Sequence, residues 1–181
     1  KKVSLIFFIW FLNLFENGIG VVFLHHAIVS HQEWEEYEKI VGGRYHHKPY
    51  EDNGKKYGPS TYKHDQDFLV KIIDNGHAVT KGMRDFKITD EAYLNYKVHD
   101  YVTPLLTSDN CENGKYLGWA NTYKNSKIVY LQLGHDHQAY ENHNYRLLIR
   151  NAVDWVTDKK WFSIIEKEAM FNHFLFFEMR W

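Results

Sequence analysis

The sequence predicts an α/β domain: a partly parallel sheet with helices on both faces. Three observations carry this. "VVFL", Val21 to Leu24, is a short continuous apolar run between two helical patterns, as in strands covered on both faces. Strand and helix patterns alternate at first, and strands then cluster before a last helix. Two strands also end in histidine, in "VVFLHHAIVSH" and in "VYLQLGHDH". In open α/β sheets, residues beyond the carboxyl ends of the strands share one crevice.

The elements follow in order. "LIFFIWFLNLF" behind two lysines looks like a signal-peptide core, but an amphipathic helix stopped by "ENG" explains it better. "VVFLH" is expected as a central strand. "SHQEWEEYEKIVGG" reads as a helix with Ser30 and Glu33 as a capping box, Trp34, Tyr37 and Ile40 or Val41 on one face, and Gly42-Gly43 as its stop. The polar stretch from Arg44 to Gln66 reads as a long loop, of the kind that carries function or moves. "DFLVKIID", "FKITDEAYLNYKV" and "VTPLLTSD" read as strands, and "GWANTY" with "KIVYLQLG" as a hairpin. "NHNYRLLIRNAVDWVTD" is an amphipathic helix with Leu147, Leu148, Ala152 and Trp155 inward. Residues 1–158 form the expected domain, and 159–181 an apolar, aromatic extension.

Composition removes several functions. Lys and Arg number 22 against 23 Asp and Glu, so nothing favours nucleic acid or an anionic membrane as partner. One cysteine, Cys111, forms neither an internal disulfide nor a cysteine metal cluster. A soluble protein is expected, with the cytoplasm favoured over the periplasm or secretion, and a homo-oligomer is among the expectations. Aromatic residues make up 17% of the chain, led by tyrosine. A flat apolar face with a polar tip suits sugar binding, and equally a tyrosine-rich core. The twelve histidines fall partly in groups, which fits metal ligation or proton transfer as well as a polar surface.

Several segments together resemble the ThuA-like family, named for trehalose utilisation: "GIGVVFLHHAIVSHQEWEEYEKIVGGRY", "NGHAVTKGMRDFKITDEAY", "VTPLL", "GWANTYKNSKIVYLQLGH" and "YRLLIRNAVDWV". They agree in order and spacing, and the resemblance covers roughly Leu12 to Val156. The resemblance implies a flavodoxin-like, class I glutamine-amidotransferase-like fold and a role in carbohydrate catabolism. It also implies that the family's first strand and helices are missing, so the chain is expected to be N-terminally incomplete.

Glutamine amidotransferases need a cysteine at the sharp turn after the strand corresponding to "VVFLHH". Leu24-His25-His26 stands there, and no G-x-S-x-G elbow exists, so neither glutaminase nor serine-hydrolase chemistry is expected. A His and carboxylate site remains: His25 after its strand, His135 after "VYLQLG", and Glu91, which matches the family's Asp-Glu-x-Tyr pattern. These three suit a divalent metal such as zinc, or metal-free acid–base catalysis on a sugar. His26, Trp34, His47 and Tyr93 are the candidate substrate contacts. Trp34 also suits helix packing, Asp90 a turn cap, and Arg44 an acidic substrate or, better, a surface role. Two function classes stay open: a sugar-directed hydrolase, lyase or isomerase, and a non-catalytic carbohydrate-binding or regulatory module.

Overall fold

The computed structural model describes residues 5–52 and 54–158. Helix α1 (Leu5–Glu16) leads into β1 (Val21–Leu24), a 3-10 turn (His25–Val29) and α2 (Glu35–Val41). Short strands β2 (Gly43–Arg44), β3 (Tyr50–Asp52) and β4 (Lys55–Tyr57) follow, then the long β5 (Thr61–Ile72) and β6 (Phe86–Leu94). After β7 (Lys97–Val98) come β8 (Thr103–Ser108), β9 (Gly118–Tyr123), β10 (Ser126–Leu131), α3 (His137–Glu141) and α4 (His143–Thr157).

Six strands form the main sheet in the order β1-β10-β9-β8-β5-β6. Strands β1 and β10 are parallel, with Val21 opposite Ile128 and Leu24 opposite Leu131. The other pairs in this sheet are antiparallel. The parallel neighbours expected to end in His25 and His135 are therefore adjacent. The expected central place of "VVFLH" is corrected: among the described residues β1 is an edge strand. A continuous apolar run reports cover on two faces, and it says nothing of how many strands lie alongside.

That cover is present. Val21 and Phe23 pack with Phe11 and Phe15 of α1, Tyr37 and Ile40 of α2, and Ile128 and Tyr130 of β10. Val22 points the other way, into a core with Val129, Leu131 and the α4 residues Leu148, Ala152 and Val156. Helices thus cover both faces. Fully burying a phenylalanine stabilises by about 1.5–3 kcal/mol, so Phe11 and Phe15, with Phe7, Leu12 and Leu14 packed beside them, help to dock α1 although Ile6, Ile9 and Trp10 stay exposed. The helix ends at "ENG" as expected: Gly18 adopts φ +74° and Ile19 N–H donates to Leu14 O at 3.0 Å.

Two local readings change. Ser30 does not cap α2; it closes the 3-10 turn, donating its N–H to Ala27 O at 3.2 Å. His31, at φ +50°, separates that turn from α2, whose N-cap is Trp34. The helix does stop at Gly42, where φ is +85° and a Cβ would stand 2.6 Å from Val102 Cγ1. The expected loop over residues 44–66 instead holds β2, the β3–β4 hairpin and the start of β5. The first residues of β5 are polar and mostly exposed. They are strand because their backbone pairs with β6, and a ladder needs no apolar side chains.

Asn142 caps α4 through its side-chain oxygen, which accepts from Asn144 N and Tyr145 N. Tyr145, Leu148, Ala152 and Val156 are its buried residues. No described helix is long and apolar enough to cross a membrane. The extension expected over 159–181 lies outside the described residues.

Candidate functional site

The sheet curls, so that β6, its last strand, meets the segments that follow β1 and β10. Gln132 shows the join: its side-chain amide donates to Glu91 O at 2.8 Å, and its own N–H donates to Leu117 O at 2.8 Å. Gly134 and His135 likewise donate their backbone N–H groups to the Asp90 carboxylate, at 2.7 and 3.0 Å. Three segments far apart in sequence thereby meet at one crevice.

His25 is the first residue after β1 and sits at φ +38°, a conformation that a non-glycine residue holds only under constraint. This sharp turn sends its side chain inward, and the residue is 4% exposed. Nδ1 lies 2.5 Å from the backbone oxygen of Gln132. A carbonyl only accepts, so Nδ1 carries the hydrogen. In the neutral ring, Nε2 then presents a lone pair. It faces Glu91 Oε2 at 2.9 Å and His135 Nδ1 at 3.1 Å. The third side of this triangle, His135 Nδ1 to Glu91 Oε2, is 3.4 Å.

Donor atoms about 2.0–2.2 Å from a tetrahedral ion lie about 3.3–3.6 Å apart, so this slightly smaller triangle fits a divalent ion with little adjustment. His26 extends the group: one ligand atom from each of His25, His26, Glu91 and His135 lies within 4.8 Å of the others. Without an ion, a proton on His25 Nε2 would relieve the same crowding. A bare lone pair against a buried carboxylate is the one unstable arrangement.

Glu91 and Tyr93 are two apart on β6 and project to one face. Burial alone would raise the Glu91 carboxyl. A protonated His25 donating from Nε2, with the positive charge of His25 and His135 in that form, outweighs it and holds the group below the ordinary range. Tyr93 Oη lies 2.6 Å from His26 Nδ1 and 3.1 Å from His25 Nε2. Burial pushes the Tyr93 phenol well up, so it stays protonated and donates. Given to His26 Nδ1, that hydrogen leaves the exposed His26 ring with Nε2–H outward. Burial first, and then the neighbouring His25, lower the His26 pKa.

Asp90 is 3% exposed and also accepts Glu91 N–H at 2.8 Å. Burial raises its carboxyl against the pull of these three N–H donors. It does cap a turn, as expected, but one more than forty residues away that presents His135. In that turn Gly134 has φ +108°, and a Cβ there would stand 2.2 Å from Tyr145 Oη.

The structure brings together His25, Glu91, His135, His26 and Tyr93. His47 stands further out: its ring touches Tyr45, which in turn touches Tyr93. Trp34 is not brought to the cluster; it packs on Phe8 at 4.4 Å and on Phe11 and Tyr37. Arg44 is no surface residue: it is 8% exposed, donates to Gln32 O and Trp34 O, and pairs with Glu38 at 3.1 Å. Sequence reasoning missed His64, whose Nδ1 lies 3.0 Å from Glu91 Oε1, and Gln132. The only signal for His64 was a histidine placed among polar residues before an apolar strand.

The model of the family described as "ThuA: Trehalose utilisation" matches residues 10–156. None of the curated proteins matches the chain. Among solved structures, a ThuA-like protein from Parabacteroides merdae superposes with a TM-score of 0.72 at 20% identity, over 88% of this chain and 68% of that one. A ThuA-like protein from Bacteroides uniformis gives 0.61 at 24% identity, over 81% of this chain and 61% of that one. A cytoplasmic protein from Salmonella typhimurium gives 0.61 at 11% identity, over 86% and 62%. The chain therefore spans roughly two thirds of the length of these proteins, and the likeness concerns the fold.

Proposed function

The chain belongs to the ThuA, trehalose-utilisation, family, and on that premise we propose that it acts on a sugar or sugar derivative at a divalent-metal site made by His25, Glu91 and His135. The observation that carries this reading is the convergence of three ligand atoms: Nε2 of His25, whose ring the Gln132 carbonyl orients, lies 2.9 Å from Glu91 Oε2 and 3.1 Å from His135 Nδ1. Two imidazoles and a carboxylate are a ligand set that zinc accepts, with a fourth position left for water or substrate. A bound zinc supplies a water of lowered pKa and a Lewis acid for a carbonyl or hydroxyl oxygen.

The protein's own groups divide the remaining work. His25 is held in one tautomer and one orientation by Gln132. Glu91 offers Oε2 to the cluster while its burial excludes bulk water. Tyr93 holds His26, and the outward Nε2–H of His26 donates to a sugar hydroxyl. The crevice has a buried floor of His25, Glu91 and Tyr93 and an open side at His26 and His135, as a polar small molecule requires. Hydrolysis, elimination and isomerisation are all within reach of such a site. Glutaminase chemistry is not proposed, because His25 occupies the sharp turn after β1 and Cys111 lies exposed in the loop after β8. The proposed compartment is the cytoplasm, as the Salmonella protein is described.

The test is turnover. Trehalose, other disaccharides and free hexoses are incubated with the protein, with and without zinc, and products are read by mass spectrometry. Turnover by the wild type that is lost in Glu91→Gln and His135→Ala, with both variants folded, supports the reading. Saturable sugar binding without turnover would replace it with a carbohydrate-binding module, and neither binding nor turnover would sink it.

A further inference from the structure

Strand β5 carries an irregularity directly opposite Glu91. Lys63 pairs with Ala92 and Gln66 pairs with Asp90, so two residues of β5, His64 and Asp65, face the single residue Glu91 of β6. Asp65 takes the strain of the bulge at φ +53°. Its carboxylate accepts from Gln138 Nε2 of α3 at 3.3 Å, which ties the bulge to the element that follows His135. A bulge re-aims the side chains around it, and bulges are frequent beside functional sites. Here it turns His64 over the crevice. The His64 ring centroid lies 4.8 Å from that of His135, and its Nδ1 lies 3.0 Å from Glu91 Oε1.

We propose that His64 is a positioning residue of the site: its Nδ1–H holds the outer oxygen of Glu91, so that the inner oxygen is presented to His25 and His135. This rests on the reading of His25, Glu91 and His135 as a metal site, and it adds a residue to that site. The two oxygens of Glu91 then have separate tasks. Oε1 accepts from His64, and Oε2 serves the ion. A carboxylate anchored at only one oxygen can rotate about its last torsion, which is broad and has two near-equal wells. Outer hydrogen bonds to metal-binding groups typically change metal affinity about 10–100-fold. The His64 side chain is 52% exposed, so packing alone gives it little reason to be held there.

The test uses the whole chain in three forms: wild type, His64→Ala and His64→Asn. The Asn amide can return an N–H near the position of Nδ1. Crystal structures of the metal-free wild type and His64→Ala should show Glu91 in one rotamer in the first and turned or split in the second. Zinc affinity, measured by competition with a chromophoric chelator, should fall about 10–100-fold in His64→Ala and recover largely in His64→Asn, with the melting temperature unchanged in both. Glu91 unmoved in His64→Ala, or equal zinc affinity in all three forms, overturns the proposal. A wild type that binds no zinc defeats the metal site instead, and the Glu91 rotamer in the metal-free pair still decides the role of His64.

Discussion

The backbone oxygen of Gln132 lies 2.5 Å from Nδ1 of His25, and this one contact decides what the other nitrogen of the ring can do. With Nδ1–H committed to a carbonyl, Nε2 is left to meet Glu91 and His135. The contact joins the residue after β1 to the residue after its parallel neighbour β10, so the parallel pair itself builds the tautomer. His25→Ala removes the imidazole and leaves a buried carbonyl without its partner. The expected loss is about 1–3 kcal/mol in urea unfolding. His135 is the contrast: its side chain is 27% exposed, and no buried backbone carbonyl depends on its ring, so His135→Ala should cost less than His25→Ala. Both variants should lose the site. Equal stability losses would contradict this division.

Asp90 holds the turn that presents His135. Asp90→Ala strands three backbone N–H groups, at Glu91, Gly134 and His135. Expected destabilisation is about 2–4 kcal/mol, with zinc affinity falling further than in a surface control. Asp90→Asn keeps one acceptor oxygen and should fall between. A variant within about 0.5 kcal/mol of wild type would show that the turn stands without Asp90.

Gly134 serves the same turn through its backbone. Gly134→Ala meets two obstacles, φ +108° and the Tyr145 hydroxyl. Its cost should be about 1–3 kcal/mol. Tyr145→Phe removes the hydroxyl and leaves the ring carbon Cζ at 3.0 Å, so the double variant should recover part of the loss beyond what Tyr145→Phe itself costs through its bond to Leu133 O. Full recovery would mean that the backbone conformation imposes no strain.

Away from the site, Glu38 makes an acid-sensitive joint. Burial works against its charged form, but His99, Arg44 and Lys97 offset this and bring its pKa to about 2. A depressed carboxylate contributes stability that is fully present above its unfolded pKa, near 4.5, and is lost as pH falls toward 2. The difference in unfolding free energy between wild type and Glu38→Gln should therefore shrink, by up to about 3 kcal/mol, between pH 5 and pH 2. A difference that stays constant over that window would remove Glu38 from the acid response.

Much of the fold was legible because its signals were local. The apolar runs at Val21 and Val129, the stop at Gly42 and the α4 pattern each state their element in a few residues. His25, His135 and Glu91 were legible through strand ends and the Asp-Glu-x-Tyr match. His64 was not, because it depends on a bulge whose register is set by β6, and polar residues at the start of β5 read as loop. The edge place of β1 was hidden for a similar reason: apolar cover and strand neighbours leave the same mark in sequence. Trp34 shows the reverse: near a histidine cluster in sequence, it packs elsewhere in space, as its helix-packing reading has it.

Zinc content and affinity bear on the whole reading at once. Wild type, His25→Ala, Glu91→Gln and His135→Ala are stripped with a chelator, reloaded with zinc and dialysed. Metal is then counted by mass spectrometry, and affinity is read by competition. One zinc per chain in the wild type, with each variant weakened by at least about 100-fold, is the expected result. A wild type that retains no zinc, or variants that hold it as tightly as the wild type, would contradict a metal site at His25, Glu91 and His135.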